Sequence, residues 1–278
     1  MQPVISAAPK TWDYIPPIVA DAATQMAIDA ELADLCNLIP RSAYLRFYRM
    51  SPPAVTIGRH QSWRSVVDPE RCRQRGWDWV RRPTGGGALL HRHELNYAVA
   101  LSHDMMGRKP AEPKLEIFAR IAAGLMAGLS LAGFEARLNP YRKTRGADDA
   151  ASAHGLCGAS LTRFEITVDG FKSVAAAQCN LANASLQHGT IYMSPPAADD
   201  RFWPEDADPS AVGQHWWAWS KSVPSAKDQW LVAAEMLKAG LSQNLGIEWR
   251  PNTLDWPKSP AVVSRTAHWE AEQWHHRR

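Results

Sequence analysis

The triple glycine at residues 85–87 constrains the fold of this chain more than any other feature. It lies in RRPTGGGALLH, between DWVRRP and ALLHRHELNYAVALS, two stretches that we predict to be β-strands. Glycine weakens a connection between strands unless something needs the bare backbone. Three in a row indicate a loop whose main-chain N–H groups meet an anion or a carbonyl oxygen. The spacing is neither GxGxxG nor GxxxxGK[ST], so neither a dinucleotide-binding fold nor a P-loop is indicated.

Charged and titratable side chains flank this loop. Arg81 and Arg82 come directly before it, and His91 follows it. A plain glycine turn is the alternative interpretation, but these neighbours favour a ligand-binding loop.

Helical and strand patterns interleave along the rest of the chain. DAATQMAIDAELADLC, with Asp21 as its N-cap, and EPKLEIFARIAAGLMAGLSLAG predict two helices, with others near residues 225–246 and at the C-terminus. AYLRFYRM, AVTIGRHQ and SLQHGTIYMS predict strands, and FEITVDGFKSVAAAQC predicts a hairpin that turns at Asp169-Gly170. We therefore predict an α+β fold with a mixed, mostly antiparallel sheet flanked by helices. We expect one domain over residues 12–250 and a C-terminal helical extension over 251–278 that packs on it.

Composition excludes several classes of protein. The 278 residues carry a formal net charge of +3, too small to imply nucleic-acid binding. No run of about 18 or more apolar residues predicts a membrane span, and the N-terminal segment does not resemble a signal peptide. Four scattered cysteines without a CxxC pair indicate reduced thiols rather than a disulfide framework or a zinc site. We expect a cytoplasmic protein with no metal and with no membrane or nucleic-acid partner.

Three side chains outside the glycine loop are candidates for chemistry. Cys157 lies between Gly155 and Gly158 in an irregular stretch, where it is either an exposed nucleophile or a small apolar filler. Lys172 follows the predicted hairpin turn, either as a solvated lysine or as a cation that stabilises negative charge developing on a carbonyl oxygen. His188 is either a buried structural histidine or part of the site, and His91 has the better claim because it lies beside the glycines.

Taken together and in this order, these segments resemble the lipoate–protein ligase and octanoyltransferase family, which shares its fold with biotin protein ligase. RRPTGGGALLH is similar to the family signature RRxTGGGxxxH, and FKSVAAAQ followed by LQHGTI is similar to its lysine, GSAQ and LQHG pattern. TWDYIPP followed by MAIDAEL resembles the family's first strand and helix. The likeness is collinear from residue 12 to residue 193.

The resemblance implies which residues form the site. In this family the glycine loop and the lysine hold an acyl head group, and a hydrophobic tunnel takes a medium-length chain. Carried over motif by motif, the catalytic residues would be Cys157 and Lys172. The substrate-binding residues would be Arg82, Thr84, Gly85, Gly86, Gly87, His91, Gln187, His188 and Gly189.

The resemblance also implies a branch of the family. One octanoyltransferase branch carries a cysteine eight residues before a glutamate, and Cys157 and Glu165 have that spacing. The Cys157 thiolate would attack octanoyl–acyl carrier protein to give an octanoyl thioester. The lysine amine of a lipoyl domain or of the glycine-cleavage H protein would then take the octanoyl group. No cofactor is required, because the donor thioester is already activated.

Three other functions remain open. A lipoate–protein ligase of this family would need ATP and Mg²⁺ and no cysteine. An octanoyl amidotransferase would use Cys157 and Lys172 but would take its acyl group from the H protein. A non-catalytic descendant would only bind acyl carrier protein or a lipoyl domain.

A basic cluster and three departures from the family pattern complete the expectations. The cluster, which consists of Arg71, Arg73, Arg75, Arg81 and Arg82, is either a docking surface for acidic protein substrates or a solvated basic face. Ala175 and Ala176 replace the usual glycine and serine, and Arg92, two residues before Glu94, replaces a frequent aspartate. These changes would narrow the head-group pocket, alter the choice of substrate, or abolish activity.

Overall fold

The computed structural model describes residues 10–106, 113–138, 165–193, 201–202, 219 and 228–271. The strands are β1 Lys10–Ala20, β2 Ala43–Met50, β3 Ala54–Ile57, β4 Asp78–Arg81, β5 Leu89–His91, β6 Leu95–Ser102, β7 Ala136–Leu138, β8 Ile166–Val168, β9 Phe171–Asn180, β10 Ala184–Ile191 and β11 Ile247–Pro251. The α-helices are α1 Ala22–Leu38, α2 Pro69–Gln74, α3 Pro113–Leu131, α4 Gln229–Leu245 and α5 Pro260–Glu270.

Two sheets organise the described chain. The large sheet has the order β11-β1-β2-β6-β10-β9-β8-β7, and the small sheet has the order β4-β3-β5. In the large sheet β1 is parallel to β11 and to β2, and the other neighbours are antiparallel. The predicted α+β class with a mixed, mostly antiparallel sheet is confirmed.

Helices cover both faces of the large sheet. Helices α3 and α4 pack on one face, over Phe47, Tyr97 and Val99. Their backbones approach closely, since a Cβ added at Gly240 would lie 2.0 Å from the N atom of Gly128. Helix α1 covers part of the other face. None of the described helices is long and apolar enough to span a lipid bilayer.

Helix α5 packs on the outside of α1. Arg265 joins the two helices, with its Nε 2.5 Å from Glu31 and its Nη2 2.7 Å from Asp34. Strand β11 pairs with β1 and reaches Pro251, so the large sheet extends to the predicted domain boundary. The division at residue 250 stays a prediction.

Several local predictions are confirmed. Asp21 caps α1 by accepting a hydrogen bond from the N–H of Thr24 at 2.8 Å. Asp169 and Gly170 form the hairpin turn with φ of 54° and 80°, as a two-residue turn with both centres left-handed requires.

One strand prediction is wrong. The stretch after the glycines, predicted as a single strand, is divided into β5 and β6, which belong to different sheets. The chain turns at residues 92–94, where Glu94 Oε2 accepts hydrogen bonds from the N–H groups of Arg92 and His93 at 2.5 and 2.9 Å. The carboxylate of Glu94 accepts the N–H groups that the turn leaves without strand partners, so the chain can leave one sheet and enter the other.

Candidate active site

A cavity lies between the large sheet, α1 and the small sheet. Its floor is a row of residues that lie opposite one another on neighbouring strands: Ala175 on β9, Thr190 on β10, Asn96 on β6 and Tyr48 on β2. It holds about 450 Å³ of empty space, part of it open to solvent.

Arg82 holds the glycine loop beside this cavity. Its Nη2 donates to the carbonyl oxygens of Gly85 at 2.6 Å and Gly87 at 2.8 Å, and its Nη1 donates to that of Thr56 at 3.1 Å. These bonds fix the Arg82 side chain to the loop backbone. Gly86, which lies between the two acceptor residues, lines the cavity. Arg82 therefore shapes the loop.

The glycines are needed for two different reasons. Gly86 has a φ of +93°, and a Cβ added at Gly58 would lie 1.9 Å from the Gly86 carbonyl oxygen, so both positions are restricted by the chain itself. Gly85 differs, because an added Cβ there would meet no described atom within 4 Å. Among the described residues, the backbone at Gly85 therefore has open space beside it.

His91 is part of a buried hydrogen-bond network. Its Nδ1 lies 2.9 Å from Asn96 Oδ1, which also accepts from Thr190 Oγ1 at 2.6 Å. Because a carbonyl oxygen only accepts, Nδ1 carries the proton, and Nε2 accepts from the Thr56 hydroxyl at 2.9 Å. Burial, and then the charge of Arg82, lowers the pKa of His91 to about 3. His91 is therefore neutral near pH 7 and orients polar groups of the cavity.

His188 belongs to a second buried chain of polar groups. Its Nδ1 lies 2.8 Å from Asp29 Oδ2, and its Nε2 lies 2.6 Å from Thr84 Oγ1. Although burial acts to raise it, the pKa of Asp29 is lowered by the Arg46 guanidinium, 2.7 Å away, and by the hydrogen bond with His188. His188 is therefore a buried structural histidine, and it also lines the cavity.

A β-bulge sets the direction of Lys172. Ile166 lies opposite Val174, but the next residue, Thr167, lies opposite Lys172, so β9 carries Ser173 as an extra residue. Opposing residues share a face, and successive residues of β8 alternate between faces. Val174 therefore lies on one face of the sheet and Lys172 on the other. The face of Lys172 is the one that carries the cavity floor.

Lys172 is held by a partner that the sequence did not identify. Its Nζ lies 2.5 Å from Glu165 Oε1, and the two side chains are 2% and 5% exposed. The interpretation of Lys172 as a solvated lysine is therefore wrong. Glu165 comes just before β8, and its spacing from Cys157 was the only signal that pointed to it.

Not all of the predicted residues come together at the cavity. Arg82, Gly86, His91, His188 and Gly189 line it. Thr84 is buried and contacts the cavity through His188. Gln187 does not reach the cavity, because its Nε2 donates to Tyr97 at 3.0 Å on the other face of β10.

Cys157, the predicted nucleophile, lies outside the described residues. Burial raises the pKa of Cys36 and Cys72 to about 12 and that of Cys179 to about 11. These three thiols stay protonated near neutral pH and are poor nucleophiles.

The expected basic docking cluster is corrected at two of its five positions. Arg81 and Arg82 are 1% and 6% exposed. Arg81 donates to the backbone carbonyls of Gly58 at 3.0 Å and Gln61 at 2.7 Å, so it supports the turn after β3. Neither arginine is available to a protein partner.

The departures from the family pattern lie in two places. Ala175 and Ala176 line the cavity, and Arg92 lies in the turn between β5 and β6. Within the described residues, no group of three or more His, Cys, Asp and Glu side chains could hold a metal ion. The predicted absence of metal and cofactor stays a prediction.

Sequence comparison assigns the family. The profile of the lipoyl protein ligase A/B catalytic domain matches residues 21–199. The chain belongs to this family. It is 30% identical over 235 residues to an octanoyltransferase LipM of Symbiobacterium thermophilum, covering 82% of this chain and 84% of that one. It is 32% identical over 184 residues to an octanoyltransferase LipM of Carboxydothermus hydrogenoformans, covering 66% of this chain and 65% of that one, just under two thirds of the relative's length.

Solved structures confirm the fold of this lipoyl protein ligase family member. A lipoate-protein ligase A bound with ATP superposes with a TM-score of 0.73 at 19% identity, over 95% of this chain and 98% of that one. A bipartite lipoate protein ligase of Thermoplasma acidophilum, studied with its E2 lipoyl domain, superposes with a TM-score of 0.68 at 19% identity, over 96% of each chain.

Proposed function

We propose that this chain is an octanoyltransferase that acts in protein lipoylation. It moves an octanoyl group from octanoyl–acyl carrier protein, through a thioester on Cys157, to a lysine of a lipoyl domain or of the glycine-cleavage H protein. The observation that carries the proposal is the buried cation of Lys172, which the bulge at Ser173 directs to the face that bears the cavity. The relatives named octanoyltransferase LipM support the choice of acyl group.

The first step exchanges one thioester for another. The Cys157 thiolate attacks the carbonyl carbon of the donor thioester, a new C–S bond forms, and the carrier thiolate leaves and takes a proton. A cation near the carbonyl oxygen stabilises the negative charge that gathers there, and Lys172 is suited to this role. Glu165 keeps Nζ in one position, so little reorganisation is needed as the charge develops.

The second step forms the amide. The neutral ε-amine of the acceptor lysine attacks the octanoyl carbonyl carbon, a C–N bond forms, and the Cys157 thiolate leaves. The amine proton passes to solvent or to a base of the site. Both steps use the energy of the original thioester, so ATP is not consumed.

A transfer assay without nucleotide tests this function. Octanoyl–acyl carrier protein and a purified lipoyl domain are mixed with wild type, with Cys157→Ser or with Cys179→Ser, and the mass of the lipoyl domain is followed. We expect octanoylation with wild type and Cys179→Ser and none with Cys157→Ser. Transfer that requires octanoate and ATP and survives Cys157→Ser would show a ligase. Transfer only from octanoylated H protein would show an amidotransferase.

A further inference from the structure

The cavity floor spans four strands of the large sheet, from β9 to β2. Ala175, Thr190, Asn96 and Tyr48 form one row across them. Neighbouring strands lie about 4.8 Å apart, so the row is roughly 14 Å long. An extended octanoyl chain has seven C–C bonds and measures about 9 Å.

The two ends of this row differ in chemistry. At the β9 end Lys172 and its partner Glu165 lie on the same face of the sheet, and Gly86 lines the cavity. This end suits the polar head of an acyl thioester. At the β2 end the cavity is lined by Met26 and Met50, which are 1% and 7% exposed. This end suits a hydrocarbon tail.

The wall at the β2 end is fixed to the fold. Gln25, the neighbour of Met26, donates from its Nε2 to the backbone carbonyls of Ile18 at 3.3 Å and Arg49 at 2.9 Å. Arg46 Nη1 donates to Gln25 Oε1 at 2.6 Å. Side-chain bonds therefore tie the start of α1 to β1 and β2, next to both methionines.

We infer that Met26 and Met50 form the end wall of the acyl site and set its chain-length limit at about eight carbons. This inference rests on the proposed function, because it assumes that the cavity takes the acyl tail. The floor ends at Tyr48, and the two methionines line the cavity beside it, Met50 two residues further along β2 and Met26 on α1. Removing either side chain enlarges the site at its β2 end.

Two measurements on the full chain test the wall. The first follows acylation of the protein by intact mass, with N-acetylcysteamine thioesters of six, eight, ten and twelve carbons. The second measures displacement of a fluorescent fatty acid by free fatty acids of the same lengths, which needs no chemistry. Both are applied to wild type, Met26→Ala and Met50→Ala, and to Met193→Ala, which removes a similarly buried methionine outside this cavity.

We expect Met26→Ala and Met50→Ala to raise the preference for ten over eight carbons at least about tenfold, the effect of one or two methylenes in a fitted pocket. Met193→Ala should keep the wild-type preference. An unchanged preference in both cavity variants, or an equal shift in Met193→Ala, overturns the wall. Failure of wild type to become acylated, with the shift still seen in displacement, overturns the proposed transferase and leaves the wall standing.

Discussion

Lys172 Nζ lies 2.5 Å from Glu165 Oε1 in a buried ion pair. A buried pair of this kind contributes little net stability, because desolvation of both ions offsets their attraction. Losing one partner is costly, since the other charge is left buried. The pair is therefore better explained by its position at the candidate site than by stability.

Replacing the two residues of this pair by apolar ones, singly and together, separates the structural role of the pair from its catalytic role. Lys172→Met or Glu165→Leu alone should lower the free energy of unfolding by about 3–5 kcal/mol, because each removes one member of a buried ion pair. The double variant should recover most of that loss but should transfer octanoyl groups about 10²–10³-fold more slowly than wild type. Urea denaturation and the transfer assay measure the two effects. Recovery of transfer together with stability would show that the pair is only structural.

Arg73 and Glu70 provide a matched control. They form an exposed i,i+3 ion pair with side chains 74% and 57% accessible. Solvent screens exposed charges, so Glu70→Gln should change neither the denaturation midpoint nor the transfer rate. A loss of stability or of transfer rate as large as that of Glu165→Leu would show that burial does not explain the effect of Glu165→Leu.

Gly58 and Gly85 should respond differently to the same substitution. Gly58→Ala places a methyl 1.9 Å from the Gly86 carbonyl oxygen, so it must displace the glycine loop and lower both stability and transfer. Gly85→Ala meets no described atom within 4 Å and should leave the thermal unfolding temperature unchanged. If the acyl head lies against Gly85, this variant should raise the KM for the donor. Wild-type kinetics for Gly85→Ala would place the ligand elsewhere.

His91 makes stability depend on pH. Its pKa in the folded protein is lowered to about 3, whereas that of an unfolded histidine is about 6.5. Below about pH 6.5 the unfolded chain binds a proton that the folded chain does not. The stability held by neutral His91 is therefore complete above pH 6.5 and is lost toward pH 3, by at most about 1.4 kcal/mol per pH unit.

Urea denaturation of wild type and His91→Gln at pH 7.5, 6.5 and 5.5 measures this dependence. The variant should lose less stability than wild type over this range. Parallel pH profiles for the two proteins would contradict the prediction.

Local signals in the sequence predicted the features that depend on neighbouring residues. The N-cap at Asp21, the left-handed turn at Asp169-Gly170 and the loop at residues 85–87 each involve short segments whose chemistry is visible in order. The bulge at Ser173 and the pairing of Glu165 with Lys172 depend on the register between β8 and β9, which no local pattern encodes.

Short sequence patterns also did not predict which charged residues are buried. Arg81 and Arg82 resemble surface residues by type, yet backbone carbonyls distant in sequence satisfy them. The hydrogen bonds that link Asp29, His188 and Thr84 join three segments that are distant in sequence, so only the fold reveals them.

Intact-protein mass after mixing with octanoyl–acyl carrier protein alone tests the central claim most directly. We predict that wild type gains one octanoyl group, that hydroxylamine removes it, and that Cys157→Ser gains none. An unmodified wild-type protein, with acyl transfer appearing only when octanoate and ATP are supplied, would contradict it.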